Sequence, residues 1–136
     1  MAVTEVLRPG LIGESRALVG PHNLATTYGS GSIDVFGTPG LVALMERAAC
    51  AAVASQLPQG QTTVGTHIDV RHIAPTGPGT EVRATAELTG VDGRRLIFRV
   101  EAFDQAEKIG EGTHERTIVD PARLLARAHA KYSVGP

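Results

Sequence analysis

The hydrophobic positions of this chain follow two different periods, and the change between them organises it. Arg8-Pro9-Gly10 opens a turn, Glu14 to Val19 reads as a short strand, and Gly20-Pro21-His22-Asn23 ends it. Leu24 to Gly37 has no period. With Gly29-Ser30-Gly31-Ser32 in its middle, it reads as a long irregular loop, and a loop of that length in a compact domain is more often functional than idle. Thr38-Pro39 then starts a helix, with a capping hydroxyl followed by proline at the first helical position. The helix is expected to run to about Gln56 or Leu57 and to stop before Pro58-Gln59-Gly60. It is apolar nearly all round and rich in alanine, which predicts a buried helix closely approached by its neighbours.

From there the period becomes two. Thr63 to Ile73 alternates, with Val64, Thr66, Ile68 and Val70 assigned to one face. Val82, Ala84, Ala86 and Leu88 alternate against Glu81, Arg83, Thr85 and Glu87, and Asp92-Gly93 is the strongest hairpin signal in the chain. Leu96, Phe98, Val100 and Ala102 form the return strand, and Ile109 to Val119 is another, interrupted by Gly110 and Gly112. Asp120-Pro121 caps a C-terminal helix to about Lys131, beyond which a frayed tail is expected. One strand, a loop, one apolar helix and about four antiparallel strands imply an α+β domain in which a curved antiparallel sheet wraps around one long buried helix, the hotdog arrangement.

Composition narrows the function classes. At 136 residues the chain fits a single domain, residues 1–136. Thirteen Lys and Arg against 14 Asp and Glu give a net charge of −1, with no basic block and scattered aromatics, so no nucleic-acid partner is expected. A lone cysteine, Cys50, cannot form an internal disulfide and suits a reducing, cytoplasmic setting. The Met1–Val6 start has neither a basic nor an apolar region of the kind a signal peptide needs. The longest apolar-rich run, Leu41 to Leu57, is short for a membrane span and carries Glu46-Arg47 near its middle, so no membrane association is expected.

Two ionisable residues break the pattern. On a helical wheel Val42, Glu46, Ala49, Cys50, Val53 and Leu57 fall within an arc of about 100°, which sets Glu46 in an apolar stripe. A buried carboxylate needs a partner or a raised pKa; otherwise it borders the stripe and reaches water, or forms a structural ion pair. Strand parity puts His72 with Ile68 and Val70, while His67, Asp69 and Arg71 point the other way. His72 is then either a satisfied core histidine or, with Glu46, half of a hydrogen-bonded acid/base pair. Thr38 reads as the helix N-cap, and the same helix start can offer amides to an oxyanion. Pro39 has no N–H, so the donors there would be Gly40 and Leu41. Gly65 is either a point of close ligand approach or a bulge. His67-x-Asp69 lacks a third ligand at metal-site spacing, so no metal is expected. Cys50 more simply packs than reacts, and His114-Glu115-Arg116 reads as a solvated edge.

Four stretches together resemble the fluoroacetyl-CoA thioesterase family of small hotdog proteins: Thr38-Pro39-Gly40-Leu41-Val42-Ala43-Leu44-Met45-Glu46, Val64 to His72, Val91 to Leu96 and Ile109 to Arg116. The resemblance covers roughly Glu14 to Val119 in the same order. It implies a catalytic triad of Thr38, Glu46 and His72, with Gly65 and Arg116 helping to hold the acyl group or thioester. It also implies a homodimer with sites near the subunit interface, an acyl-CoA substrate, and no cofactor beyond the coenzyme A that the substrate itself carries. The nucleophile is Thr38, Glu46 or water. Two departures are visible. Where the fluoroacetyl-selective member has gate phenylalanines this chain has Gly29 and Ser32, and Pro39 replaces a glycine. The expected function is hydrolysis of a short-chain acyl-CoA. The alternatives are a hotdog protein that binds acyl-CoA without turnover and an enoyl-CoA hydratase, which lacks here the Asp-then-His pattern, since no histidine follows Asp34 before Thr38.

Overall fold

The computed structural model describes residues 7–132. The expectations for Met1–Val6 and for a frayed tail beyond 132 fall outside that span. Five strands, β1 (Ile12–Leu18), β2 (Thr62–His72), β3 (Glu81–Asp92), β4 (Arg95–Phe103) and β5 (Lys108–Val119), form one antiparallel sheet in the order β1-β3-β4-β5-β2. The helix α2 (Thr38–Val53) packs on its inner face and ends in a short 3₁₀ turn, Ala54–Gln56. This is the α+β hotdog architecture expected from the alternation and the single apolar helix.

The core lies between helix and sheet. Leu41, Leu44, Met45, Ala48 and Val53 meet Val82, Ala84, Ala86, Leu88, Leu96, Phe98 and Val100, all buried. Close approach depends on small residues. A Cβ at Gly13 of β1 would run into the backbone of Ala48 and Ala52, and one at Gly110 would fall 2.9 Å from Leu41. The hairpin between β3 and β4 pairs Asp92 with Arg95, and Gly93, with φ +61°, supplies the left-handed position that such a turn requires.

Three expectations need correction. The helix is not covered all round: Arg47 and Ala51 are exposed, and Val42, Glu46 and Cys50 are half-buried, so the flank carrying Glu46 lies open beside β2. The 24–37 segment is not wholly irregular. It contains the one-turn helix α1 (Ala25–Tyr28), and its neck is closed by Leu24 bridging Phe36, by Ala25 N–H donating to Val35 O at 2.8 Å, and by Thr26 Oγ1 donating to Asp34 at 2.6 Å. The face assignment in β2 is broken by a bulge, because Gly65 pairs with Arg116 while His67 pairs with Glu115. Thr66 is therefore the extra residue, and parity flips across it. Thr63 and Gly65 before the bulge share the inner face with Ile68, Val70 and His72 after it; Val64 does not.

Candidate functional site

The helix α2 and the strand β2 run antiparallel, so Thr38 lies beside the end of β2 and Glu46 beside its beginning. Thr38 is the first helical residue, not the cap. Gly37 holds the cap position in extended conformation and no side chain caps the helix. The Thr38 hydroxyl is thereby released from the backbone, and its Oγ1 lies 2.9 Å from Nδ1 of His72. Phe36 meets the His72 ring edge-on, with centroids 6.2 Å apart. Burial lowers the His72 pKa from its ordinary 6.5, which favours the neutral imidazole. When the Thr38 hydroxyl donates to Nδ1, the ring proton sits on Nε2. That atom is buried without a hydrogen-bond partner among the described residues. Thr38 and His72 line an open pocket of about 340 Å³ together with Ala25, Ser30, Phe36 and Ala74.

Glu46 is engaged elsewhere. Its Oε2 accepts from Arg116 Nη1 at 3.0 Å and lies 4.0 Å from His114 Nε2. Arg116 is itself anchored, donating from Nε to Thr63 Oγ1 at 2.9 Å and from Nη2 to the Thr63 carbonyl at 3.1 Å. His114 Nδ1 lies 2.7 Å from the His67 carbonyl, and a carbonyl only accepts, so the proton is on Nδ1. Its Nε2 is then free to accept from Arg116 Nη1 at 3.2 Å. Burial is the main cause that lowers the His114 pKa, and the Arg116 charge adds to it against the opposing His67 carbonyl and Glu46. Gly65 makes room for this cluster: a Cβ there would collide with Glu46 Oε2 and lie 3.3 Å from both Arg116 and His114. Glu46, Gly65 and His114 border a second concavity of about 300 Å³.

The expected Glu46–His72 pair does not form within one chain. Eight residues of helix separate Thr38 from Glu46, about 12 Å at helical rise, and each end of that span has its own partner. The structural ion-pair reading of Glu46 is the one the single chain realises. The amide donors expected at the helix start are reduced as well: Leu41 N–H already donates to the Gly37 carbonyl at 3.0 Å and its side chain is in the core. Gly40 is wedged against Phe36 and Asn23, where a Cβ would fall 2.9 Å from the Phe36 ring.

His114-Glu115-Arg116 is not a solvated edge. β5 lies between β4 and β2, and both His114 and Arg116 are buried. Their parity with Ile118 was the available signal, and it has the same form as the one that marked His72. Among the described residues no three His, Cys, Asp or Glu side chains lie close enough to hold a metal.

The model of the fluoroacetyl-CoA-specific thioesterase family matches residues 19–122 of this chain. The fluoroacetyl-CoA thioesterase of Streptantibioticus cattleyicolor is 44% identical over 102 residues, which is 75% of this chain and 73% of that protein. The chain belongs to this family. A solved structure of the fluoroacetyl-CoA thioesterase FlK superposes with a TM-score of 0.86 at 38% identity, covering 92% of this chain and 97% of that one. A hot-dog-like protein from Thermanaerovibrio acidaminovorans matches with a TM-score of 0.86 at 23% identity over 100% and 99% of the two chains, a likeness of fold alone. As a member of a hotdog thioesterase family the chain is a thioester hydrolase. No helix among the described residues is long and apolar enough to cross a membrane.

Proposed function

We propose that this protein hydrolyses a short-chain acyl-CoA, with Thr38 and His72 from one copy of the chain and Glu46 from a second copy meeting in each site. The observation that carries this reading is the buried, unpartnered Nε2 of His72. A donor in that place calls for an acceptor, and the inner carboxylate of the family's motif is held about 12 Å away on the same helix.

A second copy offers the shortest route. β2 is an edge strand, so one side of its backbone is free to pair. Antiparallel pairing of two β2 strands about a two-fold axis at Ile68 runs the Gly65 end of one copy alongside the His72 end of the other. Glu46, seated over Gly65, then comes to the imidazole from across the boundary. The half-open flank of α2 and the exposed inner-face Ile68 are the surfaces such pairing covers.

In the assembled site Glu46 accepts from His72 Nε2–H and orients the ring, and neutral His72 takes the proton from Thr38 or from a water in its place. The nucleophile adds to the thioester carbonyl, and the tetrahedral oxyanion is held by amides at the helix start, that of Gly40 among them, and at Gly65. Collapse expels the CoA thiolate, and water completes hydrolysis. Arg116 donates to Glu46 and holds it in place, so we assign it to the carboxylate before the substrate. The pocket beside Thr38, walled by Ala25 and Phe36, suits a short acyl group. FlK has been solved as a threonine-to-serine variant with acetyl-CoA and as a phenylalanine-to-alanine variant with fluoroacetate and CoA. Gly29 and Ser32 provide no bulky closure over this pocket, so we do not assign fluoroacetyl selectivity. The lone Cys50 keeps a cytoplasmic location as the working one.

Mixing two inactive variants tests the shared site. Thr38→Ala and Glu46→Ala chains, each expected to lose hydrolysis, are unfolded and refolded together. Random pairing leaves one intact site in each mixed dimer, so thiol release recovers to about a quarter of the wild-type rate. No recovery, with mixed dimers demonstrated by mass, would return all three residues to one chain and refute the proposal.

A further inference from the structure

Beyond Glu46 the sheet ends in another concavity, which the thioester site does not use. It lies between the start of β2, the end of β5 and the C-terminal helix α3 (Pro121–Ala130), and its wall includes Gln61, Arg94, Ile118, Arg123, Leu124 and Arg127. The local sequence explains why a helix starts there. The Asp120 carboxylate accepts from the N–H groups of Ala122 at 2.9 Å and Arg123 at 3.2 Å, and Pro121 occupies the first turn. Packing does not explain its side chains, because every residue of α3 is exposed.

The charge at this groove is one-sided. Arg123 and Arg127, four residues apart on one face of α3, have no side-chain hydrogen bond or ion pair among the described residues. Opposite them Arg94 is fixed in place, donating from Nε to the Ile118 carbonyl at 3.0 Å and from Nη2 to Gln61 Oε1 at 3.0 Å. Asp120 is the groove's carboxylate, and it is committed to capping α3. Three guanidiniums converge on one groove in a chain of net charge −1. Planar guanidinium forks match the oxygens of phosphate esters, and a set of them without carboxylate ion pairs is what a multiply charged phosphate ligand requires.

We propose that this groove binds the phosphate-bearing nucleotide end of the acyl-CoA substrate. The inference rests on the thioesterase reading for its ligand. Gln61, at the groove, precedes Gly65, beneath Glu46, by four residues of extended chain, a separation of about 13 Å. An extended pantetheine arm spans that separation, so a thioester placed at Glu46 carries its pyrophosphate and 3′-phosphate toward Arg94, Arg123 and Arg127.

The test compares acetyl-CoA with acetyl-pantetheine, the same thioester without phosphates. Replacing both arginines, Arg123→Ala with Arg127→Ala, lowers the ratio of kcat/KM for acetyl-CoA over acetyl-pantetheine by about tenfold or more, while lysine at both positions retains part of the preference. Adenosine 3′,5′-bisphosphate binds the wild-type protein in calorimetry, competes with acetyl-CoA, and binds more weakly as salt rises. An unchanged ratio in a folded double variant, or no binding of the bisphosphate to wild type, overturns the proposal. Failure of the catalytic reading looks different: wild type releases thiol from neither thioester, while calorimetry still reports on the groove.

Discussion

A histidine acts as a base only while its imidazole is neutral, and buried His114 and half-buried His72 are both biased that way. His72 and His114 have pKa values lowered from 6.5, chiefly by burial. The linkage has a definite sign. The unfolded chain takes up protons at these rings as pH falls through 6.5, and the folded chain resists until its lower values are reached. Stability is therefore fully present above pH 6.5, declines below it, and levels off once the folded rings protonate. Urea midpoints measured at steps from pH 7.5 to 5.0 are expected to be flat and then to fall, before carboxylates begin to titrate. A His114→Gln variant, which has no such proton to take up, shows a shallower fall. Identical profiles for the variant and wild type would refute the assignment. At this scale the sequence was informative about misfits and silent about partners. Glu46 and His72 stood out because apolar neighbours surrounded them at the right period. That Glu46 would be met by Arg116, and that His114 would tie Arg116 to the bulge carbonyl, depends on which strand lies beside β2, and no local pattern carries that.

At the scale of elements, the strands and the long helix were legible because alternation and helical period extend over many residues, which averages out local exceptions. The bulge at Thr66 was not legible, since one inserted residue is defined by the strand opposite. Ignoring it assigns Val64 to the wrong face while leaving Ile68, Val70 and His72 correctly grouped. The contact between α2 and β1 was equally hidden. Gly13 passes so close to the helix that a Cβ would meet the Ala48 carbonyl and the Ala52 amide, backbone atoms with no rotamer to change. Beside it, Ser15 Oγ donates to the Leu44 carbonyl at 2.5 Å, tying the same strand to the same helix. Gly13→Ala is therefore expected to push helix and strand apart and to cost about 1–3 kcal/mol. The urea midpoint drops while the slope m stays constant, because the surface exposed on unfolding hardly changes. A midpoint within error of wild type would mean that the helix can slide on the sheet without penalty.

At the scale of the whole molecule, the question is what covers β2. Its eleven residues form one margin of the sheet, and half of its neighbouring helix flank is open. A long uncovered edge invites pairing, and natural proteins close such edges or blunt them with charge. Here Ile68 lies at the middle of the strand, 37% exposed and on the inner face, while Asp69 beside it supplies a single charge. Pairing of two copies about an axis at Ile68 sets Ile68 of each opposite Ile68 of the other. Ile68→Asp then sets two carboxylates against each other at the centre of the interface, where like charges directly opposed destabilise a sheet. Because the side chain is partly exposed in the single chain, the substitution leaves that chain's own core intact. Sedimentation velocity is expected to show wild type at the mass of a dimer and the variant shifted to a monomer, with circular dichroism unchanged. Thiol release from acetyl-CoA is expected to fall in step with the dimer fraction, and to return as protein concentration is raised. A variant that sediments as a monomer yet keeps full activity would show that one chain suffices, and that His72 Nε2 finds its acceptor without a second copy.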